Sequence, residues 1–303
     1  PAPTLLSVLL GVETGGTTIR LASADNPAEM TAVVTVPTTG PDETLPRLRA
    51  ELRTLAASRT VDAIGVAAFG PIDVDPASPH YGRIGASPKV GWRGVQLLEA
   101  VHQAVAAAVV VDTDVNAAAL AEQQWGAARG QSDVCYVTVG TGVGVGALVD
   151  GRLLHGNAHP ELGHLLLRRH PDDSYPGLCP FHGDCLEGLA SGPAIGERWN
   201  LPADQLGPDH PAWDLEAEYL AEACRNLICT VSPQRIVLGG GVMEQRQLFP
   251  RIRTRTVELL NGYVQAPEIL ERIDEFIVPP GLGNRAGVAG CIALGQRALA
   301  ANG

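Results

Sequence analysis

No stretch of this chain approaches the roughly 18 uninterrupted apolar residues that a membrane-spanning helix needs. Its residues are nevertheless 45% hydrophobic, so that apolar content is expected in a folded core. The opening PAPTLLSVLLGVETGG carries no basic residue ahead of its apolar run, and that run is needed as the first strand. No signal peptide is therefore read, and a cytoplasmic location is expected. Lysine and arginine nowhere cluster, and 22 basic against 33 acidic residues leave a net charge of −11, which argues against a nucleic-acid-binding surface. Six cysteines spread along 303 residues imply no disulfide framework. Cys135, Cys224, Cys229 and Cys291 lie in apolar contexts and read as core residues, whereas Cys179 and Cys185 do not. Low-complexity segments are absent.

What is present is glycine in strategic places. In DVCYVTVGTGVGVG, Asp133 to Gly146, a β-rich run enters a turn with glycine at 140, 142, 144 and 146. Glycine permits positive φ and close backbone approach, so such a turn can wrap its N–H groups around a phosphate. Val8 to Leu21 repeats the plan: an apolar strand, then Gly15-Gly16-Thr17, then a second strand. Two such units suggest a duplicated fold with a nucleotide between the halves. The length suits two domains of about 120–170 residues each.

Periodicity gives the rest of the layout. Strands are expected at about 6–13, 17–23, 31–36 and 61–69, with a helix at 42–58 supported by the spacing of Leu45, Leu48, Leu52 and Leu55. The Pro/Gly/Ser-rich stretch 72–94 reads as a functional loop or cover. A helix is expected over Val95–Ala107, a short buried strand over Val109–Asp112, and an alanine-rich helix from Asp114 to a stop at Gly130. Strands 134–139 and 143–149 flank the second glycine turn, with Asp150-Gly151 as a hairpin turn before Leu153-Leu154. The segment 155–187 has little regular periodicity but holds five of the eight histidines and two cysteines, and looks like an inserted, cross-linked loop. Helices at about 191–199, 212–231, 244–262 and 284–301 and strands at 235–238 and 275–278 complete an α/β alternation.

Chemistry-bearing residues fall on these elements. Asp114 lies at the strand-to-helix switch VVVDTDVNAAAL, where a carboxylate at the C-terminal sheet edge reaches a crevice; a plain helix cap is the other reading. Asp112, two residues earlier, reads as structural. Gly140, Thr141, Gly142 and Gly144 are expected to present donors to phosphates, with Gly15, Gly16 and Thr17 in the same role in the other half. Gly239-Gly240-Gly241 follows the strand RIVL, where a backbone must approach a flat base or ribose. Within 155–187, His164, Cys179, His182 and Cys185 offer two imidazoles and two thiolates, a donor set suited to tetrahedral Zn²⁺ in a closed structural site. His170 and His159 remain alternatives to His164.

The glycine turns together with Ile236–Met243 (IVLGGGVM) resemble the ATP-binding elements of the sugar kinase, actin and heat-shock protein superfamily. Within it, HPELGH at 159–164, CPFHGDCLEG at 179–188 and TDVNAAAL at 113–120 resemble the bacterial ROK sugar kinases, from Gly11 to about Gly295. CPFHGDCLEGLASGPAI and SPKVGW at 87–92 are similar to the fructokinase branch. Glu13 stands where many members have aspartate, and Thr18 where lysine is common.

The resemblance implies an α/β, actin-like ATPase fold of the duplicated ribonuclease H-like kind. One domain would span 1–113, completed by a C-terminal helix at about 284–303, and the other 114–283 with its zinc-binding loop. It implies Asp114 as the catalytic base, Glu161 and Glu187 as the glutamates that grip the sugar, and Asn116, Gly70 and Pro71 as its wall. Glu13 would hold Mg²⁺ through water. The middle cysteine of the family zinc set is replaced by His182. The implied reaction is ATP-dependent phosphorylation of D-fructose, with Mg²⁺ as cofactor, structural Zn²⁺ and a homodimer. Glucokinase, mannokinase or broad hexokinase activity stays open, as do a sugar-sensing repressor and a catalytically silent sugar-binding module. An acidic charge and a first strand beginning at Val8 oppose the repressor.

Overall fold

The computed structural model describes residues 7–26, 29–57, 59–87 and 89–302; Leu6 of the expected first strand and Pro88 of SPKVGW lie outside them. The chain divides into two compact units, the first comprising Pro1–Gly126, Leu154–His159 and Asn284–Gly303, the second Ala127–Leu153 and Pro160–Gly283.

In the first unit, alternating apolar residues build a five-stranded sheet: β1 (Ser7–Thr14), β2 (Thr18–Asn26), β3 (Glu29–Pro37), β4 (Thr60–Ala68) and β5 (Ala108–Thr113), in the order β3-β2-β1-β4-β5. The β1–β2 and β2–β3 pairs are antiparallel, and β1–β4 and β4–β5 are parallel. Side chains of a strand alternate between faces, and both faces are covered. Val8, Leu10 and Val12 join Leu48 and Leu52 of α1 (Pro41–Ala56) and Leu97 and Val101 of α2 (Leu97–His102) in one core cluster. Leu9, Ala22 and Ala63 join Val288 and Ile292 of the C-terminal helix (Ala286–Asn302) in another. That helix lies on β1 and β4 and packs on α3 (Asp114–Trp125). Its approach to β4 requires Gly65, where a Cβ would lie 1.8 Å from the Cys291 carbonyl oxygen.

The second unit repeats the topology: β6 (Val134–Val139), β7 (Val143–Val149), β8 (Arg152–Leu153), β9 (Arg235–Gly239) and β10 (Ile277–Val278), in the order β10-β9-β6-β7-β8. Again the first three strands form an antiparallel meander, and the last two join in parallel. The helices are α4 (Leu186–Ala190), α5 (Gly192–Trp199), α6 (Ala212–Thr230), α7 (Leu248–Leu260), α8 (Pro267–Leu270) and α9 (Ile273–Phe276). No helix among the described residues is long and apolar enough to cross a membrane.

Several expectations are corrected. The alanine-rich helix stops at Trp125, not Gly130: Gly126 leaves the helical conformation with φ −110° and ψ −145°, its amide still donating to Glu122 O. Helix α2 starts at Leu97, since Val95 accepts a hydrogen bond from the Ile84 amide and Gln96 bridges Arg83. The cover 72–94 also builds core: Ile72, Val74, Ile84 and Trp92 are buried, and Trp92 Nε1 donates to Thr39 O at 2.9 Å. The stretch expected as a strand at 275–278 is helical up to Phe276. The helix expected over 244–262 begins only at Leu248, after a single tight turn at Gly241–Glu244. Cys229 is exposed near the end of α6, not a core residue.

Candidate functional site

In the first unit, β5 ends in Asp112-Thr113 and α3 begins at Asp114. Thr113 is the cap: its Oγ1 accepts from the Asn116 amide at 3.2 Å. Asp114 therefore sits in the first turn and is only half-buried, with Oδ1 accepting from the Val115 amide at 2.9 Å. Asn116 is fully buried, and its Nδ2 donates to Asp112 Oδ1 at 2.8 Å. Gly70 and Pro71, joined by a cis peptide bond, lie just beyond β4; the Pro71 carbonyl accepts from Gly85 N at 2.7 Å. Pro71, Gly85 and His155 share a cavity of about 660 Å³.

Gly15-Gly16-Thr17 links β1 to β2, closed by Gly15 N to Thr18 O at 2.8 Å, and Gly16 and Thr17 are exposed. Glu13 is tied to Arg20 at 2.8 Å, while its Oε2 is buried without a hydrogen bond among the described residues. Burial pushes the Glu13 carboxyl upward, opposed by Arg20. Lys89 Nζ donates to Gly16 O and stands 5.9 Å from the Phe69 ring centroid, a cation at this turn that the sequence reading missed.

In the second unit, two glycine segments meet at one sheet edge, because β6 and β9 are parallel neighbours with Thr138 opposite Gly239. Gly140-Thr141-Gly142-Val143-Gly144 leaves β6 and enters β7, and Gly239-Gly240-Gly241 leaves β9. A Cβ on Gly140 would come 4.0 Å from the Gly241 amide nitrogen. Gly240 has φ 89°, a conformation costly for a side chain. The C-terminal edge of parallel strands is where this class of sheet receives its ligand.

The two predicted sugar glutamates converge on this turn. Glu187, in the first turn of α4, uses Oε2 to accept from Val143 N at 3.0 Å, and a Cβ at Gly142 would sit 2.5 Å from that oxygen. Glu161 precedes the tight turn Leu162–His164, which packs so closely on β7 that a Cβ at Gly163 would be 1.9 Å from Val143 O. Burial raises the Glu161 pKa, with His164 opposing and the Glu187 charge adding to the rise.

His164, Cys179, His182 and Cys185 bring one donor atom each to within 4.8 Å of all the others. Tetrahedral zinc, with bonds of about 2.0–2.3 Å, spaces its ligands about 3.3–3.8 Å apart. Three of the six separations fall in this range: His164 Nδ1 to Cys185 Sγ 3.4 Å, Cys179 Sγ to His164 Nδ1 3.6 Å, and Cys179 Sγ to His182 Nδ1 3.7 Å. The backbone sets this geometry through Gly183 N to Cys179 O at 2.9 Å and Leu186 N to Leu165 O at 2.8 Å. Burial pushes the Cys185 thiol up to about 11, so a bound cation would be what makes it a thiolate. His170 and His159 are not part of the cluster. The cluster is flanked by Glu161, three residues before His164, and Glu187, two residues after Cys185.

Two further features escaped the sequence reading. Asp112, buried in an apolar strand, pairs with His155 Nε2 at 3.0 Å; a carboxylate among valines demands such a partner, which is the signal that was available. A cavity of about 860 Å³ in the second unit surrounds Arg198 and contains none of the glycine turns. Arg198 pairs with Asp173 at 3.4 Å and lies 4.6 Å from the Tyr175 ring, anchoring the 170–176 loop to α5.

Two sheets of the same ribonuclease H-like order, each opened by a glycine turn, define the actin-like ATPase fold of sugar kinases. The chain belongs to the ROK family, whose model matches residues 9–298. It is 43% identical to the fructokinase of Zymomonas mobilis over 93% of this chain and 94% of that one. To the fructokinase of Pediococcus pentosaceus it is 41% identical, over 96% and 99% of the two chains. Among solved structures, the ROK hexokinase from Thermus thermophilus superposes with a TM-score of 0.77 at 25% identity, covering 98% of this chain and 100% of that one.

Proposed function

We propose that the protein transfers the terminal phosphoryl group of ATP to the 6-hydroxyl of D-fructose, giving fructose 6-phosphate and ADP. The observation that carries the chemistry is the corner at Thr113–Asn116. Thr113 takes the capping bond, and the half-buried Asp114 carboxylate stands in the first turn of α3 with Oδ1 accepting from the Val115 amide. Asp114 accepts the proton of the attacking hydroxyl, and phosphoryl transfer then rests on positioning and charge stabilisation. The Thr141 and Gly142 amides donate to phosphate oxygens, as do those of Gly16 and Thr17, while Gly140, Gly144 and Gly15 shape the turns that present them. Gly239–Gly241 leaves room for the base and ribose. Glu161 and Glu187 accept hydrogen bonds from sugar hydroxyls, with Asn116, Gly70 and Pro71 as the wall.

His164, Cys179, His182 and Cys185 would hold zinc as a closed structural site that cross-links the loop carrying Glu161 and Glu187. Mg²⁺ accompanies ATP and neutralises phosphate charge, and Glu13 at the end of β1 is the carboxylate that would hold it through water. Fructose is favoured because relatives named fructokinase are more similar to this chain than the hexokinase is. Use of ATP supports a cytoplasmic location, and the family resemblance supports a homodimer. A coupled assay for ADP release tests the reading: release that requires hexose supports it, and ADP release indifferent to any sugar removes it.

A further inference from the structure

His155 lies on the short segment Leu154–His159 that packs within the first unit. Its Nε2 is 3.0 Å from Asp112 Oδ2 and 3.2 Å from Asn116 Nδ2. Asp112 is 4% exposed, and its other oxygen already accepts from Asn116 Nδ2 at 2.8 Å and from Thr113 N at 2.7 Å. The shorter of the two contacts is to Asp112, whose carboxylate only accepts, so the proton of the neutral ring is assigned to Nε2, pointing at Asp112, rather than leaving Nε2 to accept from Asn116 Nδ2. Nδ1 then keeps a lone pair, and it has no hydrogen-bond partner among the described residues. The ring is 35% exposed and lines the cavity it shares with Pro71 and Gly85, a position from which it can meet a ligand.

We propose that His155 is a sugar-contacting residue: its Nδ1 accepts a hydrogen bond from a hexose hydroxyl while Nε2–H, donating to Asp112, holds the ring in place. This rests on the sugar kinase reading above. The neutral ring is the competent form, because protonation turns Nδ1 into a donor. The hydrogen bond from Nε2–H to Asp112 raises the His155 pKa above its ordinary 6.5, with burial opposing. Loss of sugar affinity on acidification therefore begins above that value. The charged groups around the pair are Arg297 of the C-terminal helix, which interacts with Asp112, and Asp73, Asp75, His80, Arg83 and Arg93 around the cavity. Tyr81, whose Oη accepts from the Val111 amide, also faces Asp112. His80 is the other imidazole lining the cavity among the described residues, and a His80→Gln control separates its contribution from that of His155.

The test compares wild type with His155→Gln and His155→Ala from pH 5.5 to 9, after melting curves establish that each variant is folded. The expected result is a rise of about tenfold or more in the KM for hexose, the KM for ATP staying within about twofold. The part of the acid limb of kcat/KM for hexose that lies above the carboxylate range should be lost in the glutamine variant, which keeps a donor for Asp112 but does not titrate. In ¹⁵N-labelled wild type, the neutral His155 ring should be protonated on Nε2, and its Nδ1 resonance should shift as hexose is added. An unchanged hexose KM with the acid limb intact in His155→Gln, or a proton on Nδ1, overturns the proposal. Failure of the wild type to turn over any hexose strikes instead at the kinase reading.

Discussion

Replacing Glu187 by glutamine removes a charge from the point where the glycine turn, the second glutamate and the metal centre meet. The carboxylate accepts from the buried Val143 amide at 3.0 Å, a charge-assisted bond that an amide oxygen can reproduce only in its weaker, neutral form. That difference, together with one less tightly held sugar hydroxyl, amounts to about 1–2 kcal/mol, or roughly a 5- to 30-fold rise in the KM for sugar. Glu187→Ala goes further and leaves the Val143 N–H buried and unpaired, at a cost of about 1–3 kcal/mol and a Tm lowered by about 2–4 °C per kcal/mol. Steady-state kinetics with each substrate varied in turn, plus thermal melts, read both effects. A second signature follows from charge. Glu187 contributes to the raised pKa of Glu161, so in Glu187→Gln the Glu161 carboxyl should ionise at lower pH, moving any acid limb it governs downward. Folded variants of both kinds with a sugar KM within twofold of wild type, and an unmoved pH profile, would refute the reasoning.

Asp114→Asn should retain sugar and ATP binding and lose turnover by roughly 10²–10⁴-fold, the range of a lost general base; near-normal turnover would remove Asp114 from that role. Zinc should be found at about one per chain in protein purified without added metal, and chelation should lower the Tm, because a closed structural site contributes its binding free energy to folding. Cys179→Ser or Cys185→Ser should release the metal and reproduce the loss of stability, so an empty, fully stable and active protein would contradict the zinc assignment.

Much of this was legible in the sequence for identifiable reasons. Strands β6 and β7 fall at the expected boundaries because a β-branched run on either side of a glycine turn admits little else. The His164–Cys185 donor set was readable because soft ligands gathered in a segment with no core of its own have few other uses. Contacts across long sequence separations were not readable. Nothing local announces that Glu187 reaches Val143, 44 residues away, or that His155 reaches Asp112. Local competition hid other details: Thr113 and Asp114 are both good caps, and only the backbone path at the end of β5 decides for Thr113. Val95 and Gln96 have helical neighbours but are drawn into pairing with the cover segment, which shortens α2.

The central claim is transfer from ATP to fructose, and a hexose panel tests it most directly. With ATP and Mg²⁺ in excess, kcat/KM should be ranked for fructose, mannose and glucose, and the position of the new phosphate assigned by ³¹P NMR. The account predicts that fructose ranks first and that the product is the 6-phosphate. A tenfold or greater preference for glucose would contradict the fructose assignment while leaving a sugar kinase, and no phosphorylated product from any hexose would contradict the account as a whole.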